Sequence, residues 1–157
     1  MSQKLSLWHI LSIALSSCLI SACDEETVAG VSTNFREDYI QLHECKQSAH
    51  PAADYIVTWL SPDALPVWEA LKEGNLDQDF EEGAISIKAQ YTDDTCSSLD
   101  SYTIMTKTST ASDAAHGGWR WDYANQDFEC INCDAGASCA GCHSGCTSGP
   151  TLFCTTP

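Results

Sequence analysis

The stretch "GAISIKAQY" (Gly83–Tyr91) decides the fold, because an apolar side chain recurs at every second residue. Two sets of side chains point in opposite directions: Ile85, Ile87, Ala89 and Tyr91 one way, and Ala84, Ser86, Lys88 and Gln90 the other. A period of two is the period of a β-strand. An apolar set opposite a more polar set predicts a strand with one face in the core.

Other segments along the chain also predict strands. Ala53–Leu60 is rich in β-branched and aromatic residues, and Ser101–Lys107 is a further candidate. The segment "GGWRWDY" turns at its two glycines and then places Trp119, Trp121 and Tyr123 on one face. The chain is therefore mostly strand.

One helix is clear in "SPDALPVWEALKEGN" (Ser61–Asn75). Ser61 is a suitable N-cap, Pro62 suits the first helical position, and Gly74 stands where a C-terminal cap belongs. Pro66 shifts the expected start by up to one turn.

The last stretch, from Cys130 onward, is dense in cysteine, glycine and serine and predicts a loop. With the strands and the helix, it predicts an α+β domain. We expect an antiparallel β-sheet, a few short helices and a cysteine-rich C-terminal loop.

The N-terminus predicts export. It carries one lysine, Lys4, and then an apolar run from Leu5 to Ile20, which is typical of a secretory signal and too short for a spanning helix. The following "ISAC" resembles a bacterial lipobox, in which Cys23 becomes the acylated first residue. The alternative is ordinary cleavage after Ala22, which would release a soluble exported protein.

These features divide the chain into three parts: a lipoprotein signal peptide at 1–22, an acidic tether at 23–34, and one domain at 35–157. Two fatty-acyl signals at one cysteine give stable anchoring to a membrane. We expect a lipid-anchored protein of the bacterial cell envelope that faces the periplasm or the cell surface.

The charge of the chain restricts its partners. The 157 residues carry a net charge of −15. Removal of the signal takes away Lys4 and no acid, so 6 basic and 22 acidic residues remain, a net charge of −16. Such a surface repels nucleic acid and anionic lipid head groups. It favours a small neutral or cationic ligand, or a basic protein partner.

The segment "SCAGCHSGC" (Ser138–Cys146) contains the motif Cys139-x-x-Cys142-His143. Two thiols at this spacing add across the two vinyl groups of haem, and the adjacent histidine is then held as the proximal iron ligand. The motif predicts one covalently attached haem c.

The remaining cysteines predict disulfides. Of ten cysteines, Cys18 leaves with the signal and Cys23 takes the lipid. With haem attached, six remain: Cys45, Cys96, Cys130, Cys133, Cys146 and Cys154. Six cysteines form up to three disulfides in an oxidising compartment, and we pair Cys45 with Cys96. The other four would close around the haem loop and stiffen it.

Two alternatives to haem stay open on the motif alone. Without haem, eight thiols would pair in a disulfide-braced structural lipoprotein. Alternatively, Cys130-x-x-Cys133 and Cys139-x-x-Cys142 would share a zinc ion. The five residues between them make a cramped loop, and exported thiols tend to oxidise before they bind zinc.

The segments "HPAADYIVTWLSP", "FEEGAISIKAQY", "YTIMTK", "GGWRWDY" and "CAGCH", with a terminal Phe153, occur here in that order. The ordered set resembles the cytochrome P-460 family, which includes the cytochromes c′-beta. The resemblance runs from about Asn34 to Phe153. It implies an exported, sheet-based protein with one haem, often a homodimer. It also implies that hydroxylamine or NO is bound or oxidised at a five-coordinate haem.

The resemblance also implies roles for single residues. Lys88 stands where name-giving family members cross-link a lysine to the haem; alternatively it pairs with a propionate or is an ordinary lysine of a strand. Ile56 and Thr103 stand where members that oxidise hydroxylamine carry an arginine and a proton-accepting carboxylate.

The proton relay of those members is therefore missing at its usual positions. Asp54, Glu81 and Glu82 are the nearby acids that could replace it. Without a replacement, the chain would bind ligands or carry electrons rather than oxidise hydroxylamine.

The sixth iron position decides between ligand binding and electron transfer. The candidate protein ligands are Met105, which shares a strand face with Thr103, and three histidines, His43, His50 and His116. If none of them binds, the open position takes NO, CO, hydroxylamine or peroxide. If Met105 or one of these histidines binds, the chain is an electron-carrying cytochrome.

Overall fold

The computed structural model describes residues 28–49, 53–75, 77–111 and 115–145. The predicted signal peptide, Cys23 and most of the acidic tether lie outside these ranges. His50, Cys146, Phe153 and Cys154 lie outside them as well. The expectations that concern those residues stay predictions.

Within these ranges the chain forms seven strands and three α-helices. The strands are β1 (Ile40–Gln41), β2 (Lys46–Gln47), β3 (Tyr55–Leu60), β4 (Ile85–Tyr91), β5 (Leu99–Lys107), β6 (Trp119–Asn125) and β7 (Cys130–Asn132). The helices are α1 (Phe35–Asp38), α2 (Leu65–Lys72) and α3 (Gly136–His143). Short 3₁₀ turns occupy Val28–Gly30, Pro62–Ala64 and Ala115–Gly118.

The strands form one antiparallel sheet in the order β1-β3-β4-β5-β6-β7, and β2 pairs beside β1 along the outer edge of β3. The α+β class with an antiparallel sheet is confirmed. None of the described helices is long and apolar enough to cross a membrane.

The predicted helix starts later than Pro62. Pro62–Ala64 form a 3₁₀ turn and α2 begins at Leu65, with Pro66 in its first turn. The predicted end is confirmed: Gly74 has a φ of +85° and its N–H donates to the Leu71 carbonyl at 3.0 Å. A left-handed residue after the last turn is the usual C-terminal cap, and glycine adopts it without steric cost.

One face of the sheet packs around Phe35, which is fully buried. Its ring centroid lies 5.4 Å from that of Trp59, 5.9 Å from Tyr102 and 5.6 Å from Phe128. We call this side the Phe35 face; its other buried members are Val28, Val31, Val57, Ile87, Ala89, Tyr91, Ile104 and Ala124. The apolar set of the sequence pattern lies here.

The opposite side, which we call the Trp121 face, is also covered. Its buried cluster comprises Leu60, Ala64, Leu71, Phe80, Ala84, Trp119 and Trp121, with α2 packed against it. Ser86 and Gln90, on the more polar side of β4, are only 8% and 1% exposed. The expectation of a half-buried strand was therefore wrong for β4, because a second layer covers the face that the alternation assigned to solvent.

The loop prediction was wrong for the described part of the C-terminal stretch, residues 130–145. This part forms the edge strand β7 and the eight-residue helix α3. The Ala135 N–H donates to the Trp121 carbonyl at 2.8 Å, which ties the start of α3 to β6. Packing against the sheet, rather than intrinsic propensity, stabilises this glycine-rich helix.

Two disulfides brace the described chain. Cys45 is bonded to Cys96, as paired from the sequence, and Cys130 is bonded to Cys133. The first links residues 51 apart, and the second links residues 3 apart. In the chain-entropy account, a cross-link stabilises more when it closes a longer loop in the unfolded chain.

Removal of each disulfide should therefore cost a different free energy of unfolding. We expect the Cys45→Ala/Cys96→Ala variant to lose about 4 kcal/mol and the Cys130→Ala/Cys133→Ala variant about 1.5 kcal/mol. Urea denaturation of both variants beside the wild type measures the difference. Equal losses in the two variants would contradict the loop-length argument.

Candidate functional site

Helix α3 holds all three residues of the Cys-x-x-Cys-His motif. Cys139 is half-buried and packs against the cluster of the Trp121 face, whereas Cys142 is exposed. The ring of His143 lies 5.7 Å from the ring of Trp121, edge to face. Burial, and then the neighbouring Cys142, raises the pKa of the Cys139 thiol. The motif is therefore docked on the sheet by one cysteine and its histidine.

The two motif thiols are unpaired, in contrast to the preceding Cys-x-x-Cys. Cys139 and Cys142 are the free cysteines of the described chain, while Cys130 and Cys133 form a disulfide at the same spacing. That disulfide removes two of the four thiolates that the zinc alternative requires. The described residues also contain no group of three histidine, cysteine or acidic side chains that could hold a metal ion.

A row of four side chains crosses the Trp121 face next to the row that holds Met105 and Trp121. Thr58, Lys88, Thr103 and Tyr123 lie directly opposite one another on β3, β4, β5 and β6. All four are half-buried, whereas Leu60, Ser86 and Trp121 on one side and Ile56, Gln90 and Ser101 on the other are buried. We call Thr58, Lys88, Thr103 and Tyr123 the open row.

The structure brings most of the predicted site residues to this face. Lys88 and Thr103 are neighbours in the open row. Met105 lies in the adjacent row opposite Trp121 and packs in the same cluster as Cys139. Trp119 lies one row beyond Met105 and Trp121, and its ring packs 5.5 Å from that of Phe80.

Lys88 is the electrostatically unusual member of the open row. Its ammonium group forms no hydrogen bond or ion pair with any residue that the structure describes. Burial, and then the positive charge of Lys46 on β2, lowers the pKa of Lys88. A lysine in this state suits an anionic partner that neutralises it.

At the outer end of the open row, Thr58 was not singled out from the sequence, and His43 was named only as a candidate iron ligand. The Thr58 hydroxyl lies 3.1 Å from Nε2 of His43, whose Nδ1 lies 2.7 Å from the Glu44 carbonyl oxygen. The alternation of Thr58 with the apolar Val57 and Trp59 was a usable signal for its face. Its alignment with Lys88 was not readable, because the pairing register depends on the whole sheet.

The acids suggested as a replacement proton relay do not reach the open row. Asp54 is exposed and precedes β3, about 13 Å along the strand from Thr58. Glu81 and Glu82 are exposed in the turn before β4, at the opposite end of the sheet. Ile56 and Thr103, at the family positions for arginine and carboxylate, do share the Lys88 face but carry no ionisable group.

The residues present fit a covalently attached haem. The donor set is two free thiols followed by a histidine on one helix. Trp121, 3% exposed, also has a buried Nε1–H without an acceptor among the described residues. Buried donors normally have partners, so a group with acceptor oxygens, such as a propionate, suits this position.

No model of a known protein family matches the chain, and no curated protein matches it significantly. The resemblance to the cytochrome P-460 family therefore stays a prediction from the quoted segments.

Replacement of Lys88 tests whether its buried, unpartnered ammonium group destabilises the fold. Lys88→Met should raise the free energy of unfolding at pH 7, because no ion pair is lost and a desolvated charge is removed. The lowered pKa means that the unfolded chain binds more protons than the folded chain between that pKa and 10.5. Wild-type stability therefore rises with pH through this window, and the advantage of the variant should shrink there.

Urea denaturation between pH 7 and pH 11 measures the effect. The control is Lys72→Met, since Lys72 is exposed and, among the described residues, its ion pair is with the exposed Glu69. This variant should stay within about 0.5 kcal/mol of the wild type. A Lys88→Met variant that is less stable at pH 7 would contradict the unpartnered state of the lysine.

Proposed function

We propose that the chain is an exported c-type haem protein that binds small nitrogen compounds, such as NO or hydroxylamine, at a five-coordinate iron. The observation that carries the proposal is the docking of α3. Its unpaired Cys139 and Cys142 and its His143 lie on a helix that packs against Trp121, and Trp121 belongs to the row next to the open row. The cluster shared by Cys139, Met105 and Trp121 links the motif to that face.

The motif residues then have distinct roles. Cys139 and Cys142 form the thioether bonds, and His143 is the proximal ligand. When bound, the haem iron supplies the ligand-binding and redox chemistry. The Trp121 ring packs against the His143 ring and restricts its orientation. Orientation of a ligating histidine by its neighbours is part of how a protein tunes a metal.

The open row supplies the polar groups beside the bound haem. Lys88 offers a positive charge without a partner, which suits a propionate or the cross-link that the resemblance implies. Thr103 offers a hydroxyl at the neighbouring position. Since no described carboxylate stands in the open row, ligand binding is supported better than hydroxylamine oxidation.

A second candidate function is electron transfer. Met105 is half-buried and packs in the cluster that contains Cys139, so we propose its thioether as the sixth iron ligand in this case. In that case a basic redox partner would dock on the acidic surface. The location in the cell envelope and the lipid at Cys23 belong to both candidates.

Haem content tests the proposal directly. In a host with periplasmic haem maturation, the wild type should carry one covalent haem, and its ferrous form should bind NO. Cys139→Ala/Cys142→Ala should carry none, because the thioether donors are gone. Cys130→Ala/Cys133→Ala has the same spacing and serves as the matched control that keeps its haem. A colourless wild type would favour the structural lipoprotein.

The axial ligands are tested by absorption spectra. His143→Ala should keep its haem but change its spectrum, because attachment needs the thiols and ligation needs the imidazole. Met105→Leu should leave the ferrous spectrum unchanged if the sixth position is open. A Met105→Leu spectrum that shifts to five-coordinate would instead establish the electron carrier, and an unchanged His143→Ala spectrum would exclude His143 as ligand.

A further inference from the structure

The loop between β1 and β2 holds His43 in a defined tautomer at the end of the open row. The Leu42 N–H donates to the Thr58 carbonyl at 2.9 Å and fixes the loop to β3. Nδ1 of His43 lies 2.7 Å from the Glu44 carbonyl oxygen, which can only accept, so Nδ1 carries the hydrogen. Nε2 then presents its lone pair, and the Thr58 hydroxyl donates to it at 3.1 Å.

Burial, with help from two nearby lysines, favours the neutral imidazole of His43. Burial lowers the pKa of His43. The ammonium groups of Lys46 on β2 and Lys88 on β4 lower it further, while the carbonyl and the charge of Glu44 act in the opposite direction. A neutral imidazole can accept a proton, which an imidazolium cannot.

The open row has no other described base. Thr103 and Tyr123 carry hydroxyl groups, and the Lys88 ammonium has no described hydrogen-bond partner. Thr58 is the member whose hydroxyl already donates to a base. A hydroxyl between a ligand and a base can take one proton while it gives up another.

We propose that His43 is the proton acceptor for a proton-bearing ligand at the open row, and that the Thr58 hydroxyl passes the proton to it. The inference rests on the proposed haem function. The ligand's hydrogen moves to Oγ1 of Thr58 as the hydroxyl's own hydrogen moves to Nε2 of His43. The ligand is left as an anion, no electrons move, and the imidazolium keeps its Nδ1–H bond to Glu44.

His43 acts through Thr58 and is a positioning residue, so the test must separate relay from support. The probes are hydrogen cyanide, which loses a proton when it binds ferric haem, and NO, which carries none. Both are measured as association rates on the full-length haem-loaded protein. The variants are His43→Gln, Thr58→Val and Thr58→Ser.

We expect His43→Gln and Thr58→Val to slow cyanide association about 100-fold, at the lower end of what a positioned base contributes. Thr58→Ser keeps the hydroxyl and should stay within about 3-fold of the wild type, because the relay needs only that group. NO association should not change in any variant. The matched control is Thr106→Val, whose hydroxyl is buried without a described partner and lies on the Phe35 face.

A pH profile supplies a second readout. The wild-type cyanide rate should fall as pH drops through the lowered pKa of His43, below 6.5, because the imidazolium cannot accept a proton. NMR titration of the His43 imidazole should show the same midpoint. The fall should be absent from His43→Gln.

The outcomes distinguish the inference from the proposed function. Normal NO binding with an unchanged cyanide rate in His43→Gln would overturn the inference alone. Equal cyanide rates in Thr58→Val and Thr58→Ser would overturn the hydroxyl relay. A wild type without haem would overturn both the proposed function and the inference.

Discussion

The candidate site depends on the pairing register of the four central strands, β3 to β6. Successive side chains alternate between faces, so a slip of one residue would turn Lys88 and Thr103 into the Phe35 core. The register is held from that core, where Trp59, Ile87 and Ile104 lie in direct cross-strand positions. Buried clusters lie on both faces of these strands, so a slip would bury charge and expose aromatic surface at once. The packing of one face thus positions the functional groups of the other.

Two lysines on the Trp121 face differ in whether their ammonium groups have partners. The Lys107 side chain is 1% exposed, and its ammonium group meets the Asp79 carboxylate at 2.9 Å and the Gly117 carbonyl at 3.1 Å. Lys88 has neither kind of partner among the described residues. Since burial without a partner disfavours the charged form, Lys88 is the lysine of this face whose charge a bound anion would stabilise. The contrast supports the proposed site by a route that does not use the cysteine motif.

The sequence predicted local secondary structure better than it predicted contacts between residues that lie far apart in the chain. The two-residue alternation of apolar side chains was sufficient to predict strand β4. Gly74 was sufficient to predict where α2 ends. Helix α3 was not predicted, because its glycine and serine residues have low helix propensity and it is stabilised instead by contact with Trp121. The His43–Thr58 pair was missed for a related reason. It joins a loop to a strand 15 residues away, and no local period encodes such a contact.

The sheet also explains why two Cys-x-x-Cys motifs that are close together in sequence differ in bonding, one pair forming a disulfide and the other remaining free. Cys133 packs against the Phe35 face, whereas Cys139 packs against the Trp121 face, so the edge of the sheet lies between them. A disulfide between the two motifs would need those faces to be bridged, and disulfide geometry tolerates little displacement. With Cys130 and Cys133 bonded to each other, Cys139 and Cys142 are the free thiols of the described chain. The separation of the two faces keeps the first motif from forming disulfides with the second, and the haem attachment that we propose needs both thiols of the second motif.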